Sequence, residues 1–143
     1  MERILVAVDD SPAGLAAARA AIRLARLCPG ALRAVHVLVD GVLVRELERG
    51  AGAVGVRERR GQATAAVLRH VVDLAAQAGV AVETVAYEGE PAACILREAA
   101  AWPADVVVVG RSGGGPVGHP YVGSEVREVL EFAEVPVLVV PPP

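Results

Sequence analysis

A chain of 143 residues is the size of one domain, long enough to bury a core holding about two-thirds of its unfolded surface. Apolar residues make up 54% of it and aromatics only 3%, so the interior must be built from Val, Ala and Leu, which suits helices packed on a parallel sheet. A formal charge of −3 gives no general attraction to nucleic acid or an anionic membrane. The lack of any lysine excludes a Walker A lysine, a Schiff-base lysine and a Ser-Lys dyad.

Ile4 to Val8 is a short apolar run, predicted as a strand, that ends in Asp9-Asp10-Ser11-Pro12. Asp10 or Ser11 can cap a helix there, and Pro12 suits its first position. Leu15, Ala18, Ile22 and Ala25 then recur at helical spacing, with Arg19, Arg23 and Arg26 on another face, as far as Cys28-Pro29-Gly30. Ala34 to Val39 predicts a second strand that delivers Asp40. Val42 to Arg49 can be helical, but Gly50, Gly52, Gly55 and Gly61 break up the residues after it, and Arg57-Glu58-Arg59-Arg60 reads as a solvated face. A second helix is predicted over Ala63 to Ala78, a strand over Val80 to Tyr87, and a third helix from Glu88-Gly89-Glu90-Pro91 through Trp102.

Val106 to Val109 is too short for a helix and too apolar for an exposed edge, so it reads as a parallel strand buried on both faces. Six glycines lie between positions 110 and 123, then Ser124 and a helical segment from Glu125 to Ala133. Backbone without Cβ atoms approaches a ligand closely, and free N–H groups at a helix start attract anions. The loop therefore reads as a phosphate cradle, or as a tight strand-to-helix connection with no ligand. Val135 to Val140 closes the chain as a strand, with Pro136 at its beginning.

This alternation calls for one parallel sheet with helices on both faces, whose ligands sit outside the carboxyl ends of the strands where the strand order reverses. Asp9, Asp40 and Gly110 should face one another there. Cys28 and Cys94 read as isolated thiols, and His36, His70 and His119 are too scattered for a metal site. No apolar run reaches the ~20 residues of a membrane span. The first residues enter a strand without a signal peptide, so a cytoplasmic location is expected.

Gly110, Gly113 and Gly123-Ser124, set between a valine strand and a helix that leads to Val135-Pro136-Val137-Leu138-Val139-Val140, resemble the ATP-binding signature of the universal stress protein family. Ile4 to Ser11, His36-Val37 and Gly89-Glu90-Pro91 with Ile95 are similar to other parts of the same pattern, so the likeness covers nearly the whole chain, 1–143. The resemblance implies an α/β doubly wound sheet of five parallel strands in the order 3-2-1-4-5, pairing as a homodimer through Val137 to Val140.

In nucleotide-binding members, the residues matching Asp9 and Val37 hold the adenine and ribose end. Those matching Val109 and Gly110 contact the nucleoside, and those matching Gly113, Gly123 and Ser124 wrap the phosphates. The implied ligand is ATP, or ADP or AMP, with Mg²⁺ or Mn²⁺ carried by the phosphates. Two departures stand out: Glu125 comes after Ser124 where an apolar residue is usual, and Val126 replaces a second small hydroxyl residue. A carboxylate there favours the bare helix but repels a neighbouring phosphate unless a metal intervenes.

No nucleophile with an assembled base is visible. Asp9, Glu125 or His119 can orient a water at a γ-phosphate, for slow hydrolysis at most. The rival from another class is a dimeric interaction scaffold whose loop binds no nucleotide. An adenylating enzyme is disfavoured because Asp9 to Gly14 does not match a Ser-Gly-Gly-x-Asp-Ser loop, and a dehydrogenase because no G-x-G-x-x-G comes after the first strand.

Overall fold

The computed structural model describes residues 1–39, 53–111 and 122–143, with side chains of 53–58 excepted. Predicted features at Asp40, Val42 to Arg49, Gly113 and His119 lie outside the described residues. In chain order the elements are β1 (Arg3–Ala7), α1 (Pro12–Leu27), β2 (Ala31–Val39), α2 (Ala53–Gln77), β3 (Val82–Gly89), α3 (Pro91–Ala101), β4 (Val106–Gly110), α4 (Ser124–Phe132) and β5 (Val137–Val140). The five strands form one sheet in the order β3-β2-β1-β4-β5, and every pairing is parallel.

Side chains alternate across a strand, and that alternation divides the core in two. Ile4, Val6, Leu32, Ala34, Val106 and Val108 face α1 and α2, where they meet Ala18, Ala21, Ile22, Val71 and Ala75. Leu5, Val35, Val107 and Val109 face α3 and α4, where they meet Ala92, Ile95, Ala99, Val126 and Val129. The four valines of β4 are each no more than 3% exposed, because both faces of that strand are covered. Small residues on α1 (Ala17, Ala18 and Ala21, all fully buried) let the helix lie close on the sheet.

The helix boundaries obey local chemistry. Ser11 caps α1 by accepting from the Gly14 N–H through its hydroxyl, with Pro12 at the first position. Glu90 caps α3 by accepting from the Ala92 and Ala93 N–H groups. The second helix begins at Ala53 rather than at the predicted Ala63. Gly61 lies inside it on an exposed turn with open space around its α-carbon, where a mid-helix glycine costs only about 1 kcal/mol and does not break the element.

Arg60 departs from the solvated-face expectation. Its guanidinium donates to the Val39 carbonyl at 2.8 Å and pairs with Glu88 at 3.5 Å, so it ties α2 to the ends of β2 and β3. A second polar tie joins α3 to the sheet through Glu98, which is 3% exposed. Glu98 accepts from Arg33 at 2.6 Å and from the Tyr87 hydroxyl, while Arg33 also binds Glu83 and lies 4.6 Å over the Trp102 ring.

Candidate functional site

β1 runs into α1 on one face of the sheet and β4 runs into α4 on the other, so the chain parts between these adjacent strands at their carboxyl ends. A cleft opens there, lined by the ends of β1, β2 and β4 and by the first turns of α1, α3 and α4. Its volume is about 200 Å³, below the ~300–1,000 Å³ of most small-molecule sites, and it opens to solvent past Asp9, Val39 and Glu125.

Of the residues expected at the site, Asp9, Val37, Val109 and Gly110 line this cleft. Gly123 is the N-cap of α4 and Ser124 its exposed first residue; neither contributes to the wall formed by the described residues. Gly113 lies outside the described residues. The wall also takes in Val35, Val39, Gly14 and Glu125. Gly14 was not legible as a site residue, because a glycine in the first turn of a helix carries no local signal of what crosses above it.

Asp9 is held by a short relay. One oxygen, Oδ1, accepts from the Ser11 N–H at 3.0 Å and from the Ser11 hydroxyl. The same Ser11 oxygen accepts from the Gly14 N–H at 3.0 Å. A Cβ on Gly14 would stand 2.1 Å from Asp9 Oδ1 and 2.9 Å from the Asp9 nitrogen, so only glycine allows the turn to fold onto the helix. No hydrogen bond reaches Asp9 Oδ2 among the described residues, and Asp9 lines the cleft. Beneath the turn, buried His36 lies 2.8 Å from the Val8 carbonyl through Nδ1. A carbonyl only accepts, so Nδ1 carries the proton and His36 is a structural tie to the end of β1.

Gly110 has a packing role that a nucleoside-contact reading did not anticipate. A Cβ there would stand 2.4 Å from the Ala13 carbonyl oxygen and 2.5 Å from its carbon. The first turn of α1 therefore lies directly against the end of β4, and the glycine admits protein backbone.

The charges in the cleft are one-sided. Asp9 and Glu125 line it, and no arginine, lysine or histidine does so among the described residues. Glu125 stands at the solvent-exposed rim of the cleft, where partial desolvation, with repulsion from Asp9 and Glu90, raises its carboxyl above its ordinary 4.5. The α4 N-terminus has no side-chain cap. Among the described residues, no group of three His, Cys, Asp or Glu is arranged to hold a metal ion, and no helix is long and apolar enough to cross a membrane.

An open parallel sheet with its cleft at the strand-order reversal defines a doubly wound α/β protein of the kind that holds ligands outside the strand ends. Sequence comparison carries the assignment further. The model of the universal stress protein family matches residues 1–141, and the chain belongs to that family. Universal stress protein YxiE of Bacillus subtilis is 29% identical over 144 residues, covering 96% of this chain and 97% of its own.

Among solved structures, a universal stress protein from Archaeoglobus fulgidus superposes with a TM-score of 0.78 at 25% identity, covering 98% of both chains. The hypothetical protein MJ0577 superposes at 0.82 with 19% identity, covering 98% of this chain and 95% of its own. Two further neighbours of the same fold, at 22% and 23% identity, are universal stress proteins solved in complex with cAMP and with dAMP.

Proposed function

We propose that this universal stress protein is a cytoplasmic regulatory module that binds an adenine nucleotide in the cleft between β1 and β4, with at most slow hydrolysis. The observation that carries the reading is the division of the cleft wall. Val35, Val37 and Val39 form an apolar side suited to a base, and Asp9 stands beside them with a carboxylate oxygen that meets no donor among the described residues and suits a ribose hydroxyl. In this reading Val109 and Gly110 back the nucleoside, while Gly113, Gly123 and Ser124 bring main-chain N–H groups and a hydroxyl toward the phosphates. The complexes of the two fold neighbours with cAMP and dAMP support an adenine ligand. ATP, ADP and AMP are the candidates, and a divalent ion would travel with the phosphates, since the described residues offer it no ligand cluster.

Calorimetric titration with adenosine and its phosphates tests the proposal, together with identification of any nucleotide released when the purified protein is denatured. Val37→Trp fills the apolar side and should abolish binding while the circular dichroism spectrum is kept. Undiminished binding by that variant would remove the cleft from consideration.

A second reading is a dimeric scaffold without nucleotide, and the two carboxylates in a cleft without a cationic side chain among the described residues favour it. Both readings share an assembly. Among the described residues β4 is the one strand that pairs with β5, and Leu138 on β5 is 43% exposed, which leaves an apolar sheet edge of the kind proteins cover. Antiparallel pairing of Val137–Val140 with a second copy would cover it; a monomer by light scattering at micromolar concentration would count against that assembly.

A further inference from the structure

We infer that Glu125 makes the cleft a site for adenine nucleosides and monophosphates in preference to triphosphates, an inference that rests on the adenine-nucleotide reading above. The first turn of α4 reaches into the cleft through Glu125 and Val126, the second and third residues of the helix. A phosphate chain drawn to the α4 N-terminus runs beside them. The helix end supplies the equivalent of about half a positive charge, whereas Glu125 brings a full negative charge to the same turn and Asp9 a second one across the cleft. The local field therefore opposes anions.

A first phosphate meets main-chain N–H groups at close range, which offsets that field. Each later phosphate adds charge and meets no cationic side chain among the described residues lining the cleft. Val126 stands buried at 5% exposure and has no hydroxyl to donate. The cleft's volume of about 200 Å³ also suits a compact ligand.

The size of the effect can be worked from the dimensions. A sphere of that volume is about 7 Å across, so a charge in the cleft stands within about 7 Å of Glu125, and at a dielectric of about 40–80 each added charge weakens binding about 3–7-fold. Two more charges, roughly the step from AMP to ATP, weaken it about 7–50-fold.

The experiment compares adenosine, AMP and ATP by calorimetry on the wild-type protein and on Glu125→Gln and Glu125→Thr, in EDTA so that no divalent ion masks the phosphates. Wild-type protein should bind AMP about 7–50-fold more tightly than ATP, and both variants should gain more affinity for ATP than for AMP, narrowing the ratio several-fold. Using two variants guards against a fold defect in either, and circular dichroism checks both. Equal affinity of the wild type for ATP and AMP, or a ratio that neither variant moves, overturns the role of Glu125 while leaving nucleotide binding intact. Failure of folded wild-type and variant proteins to bind even adenosine overturns the nucleotide reading, and this inference with it.

Discussion

Replacing Gly110 by alanine separates two explanations of that glycine. In the free protein the new methyl would lie 2.4 Å from the Ala13 carbonyl oxygen, 2.5 Å from its carbon and 3.0 Å from its Cβ. Ordinary contact needs about 3.5 Å, so the first turn of α1 or the end of β4 must retreat by about 1 Å. Neither is a free side chain that can swing aside. Gly110 is hydrogen-bonded in the sheet beside Val140, and Ala13 lies in the turn capped by Ser11 and abutting Asp9.

Overpacking of this kind costs about 1–3 kcal/mol, and loosening the Ser11 cap adds about 0.5–1 kcal/mol. The expected loss is thus about 2–4 kcal/mol, which at a urea m-value of about 2 kcal/mol/M lowers the unfolding midpoint by about 1–2 M. Urea titration monitored by far-ultraviolet circular dichroism measures it without any ligand. A midpoint within about 0.2 M of wild type, at unchanged slope, would refute the packing argument and return Gly110 to a purely ligand-facing role.

Glu98→Ala removes the buried carboxylate that holds both Arg33 and Tyr87. Breaking a fully buried pair costs about 3–5 kcal/mol, and because Arg33 keeps Glu83 and is 21% exposed, about 2–4 kcal/mol is expected in a thermal or urea melt. The hydrogen bond to Glu98, reinforced by burial, raises the Tyr87 phenol above its ordinary 10, so the same variant should ionise Tyr87 at lower pH, as read from phenolate absorbance.

Asp105 and Glu125 should give stability slopes of opposite sign. The N–H groups of Arg3 and Glu2 donate to Asp105 and hold its carboxyl below its ordinary 3.8. Its contribution is present above 3.8 and is lost as pH falls through the lower folded value. Glu125 is raised above 4.5, so the folded state binds the proton more tightly and stability falls as pH rises from 4.5 through the folded value. Melting temperatures across pH should show a flatter acid limb in Asp105→Asn and a flatter loss above 4.5 in Glu125→Gln. A profile unchanged by either substitution would contradict the corresponding assignment.

The strand-and-helix order was legible because each signal is local. Four valines in a row with no room for a turn predict a strand covered on both faces, and β4 has them all buried. Ser11-Pro12 and Glu90-Pro91 mark helix starts because a capping oxygen and a proline act within three residues of each other. The error at Ala53–Gln77 has the opposite cause: a glycine that weakens a helix in isolation is tolerated where a long helix lies against the sheet and, as at Gly61, the position faces solvent.

By itself, the sequence determined the alternation, the parallel sheet it requires, the lack of lysine, and the arrival of Asp9 and Gly110 at strand ends, whereas Val37 and Val109 were implied only by the family resemblance. The former stem from periodicity and composition, which are properties of neighbouring residues. Only the tertiary structure decided that Gly110 makes room for Ala13, that Gly14 makes room for Asp9, and that Arg60 closes the ends of β2 and β3. It also set Glu125 opposite Asp9 in a cleft whose described wall has no cation. Contacts of that kind join residues far apart in the chain, and their energies depend on distances of closest approach that no local pattern encodes.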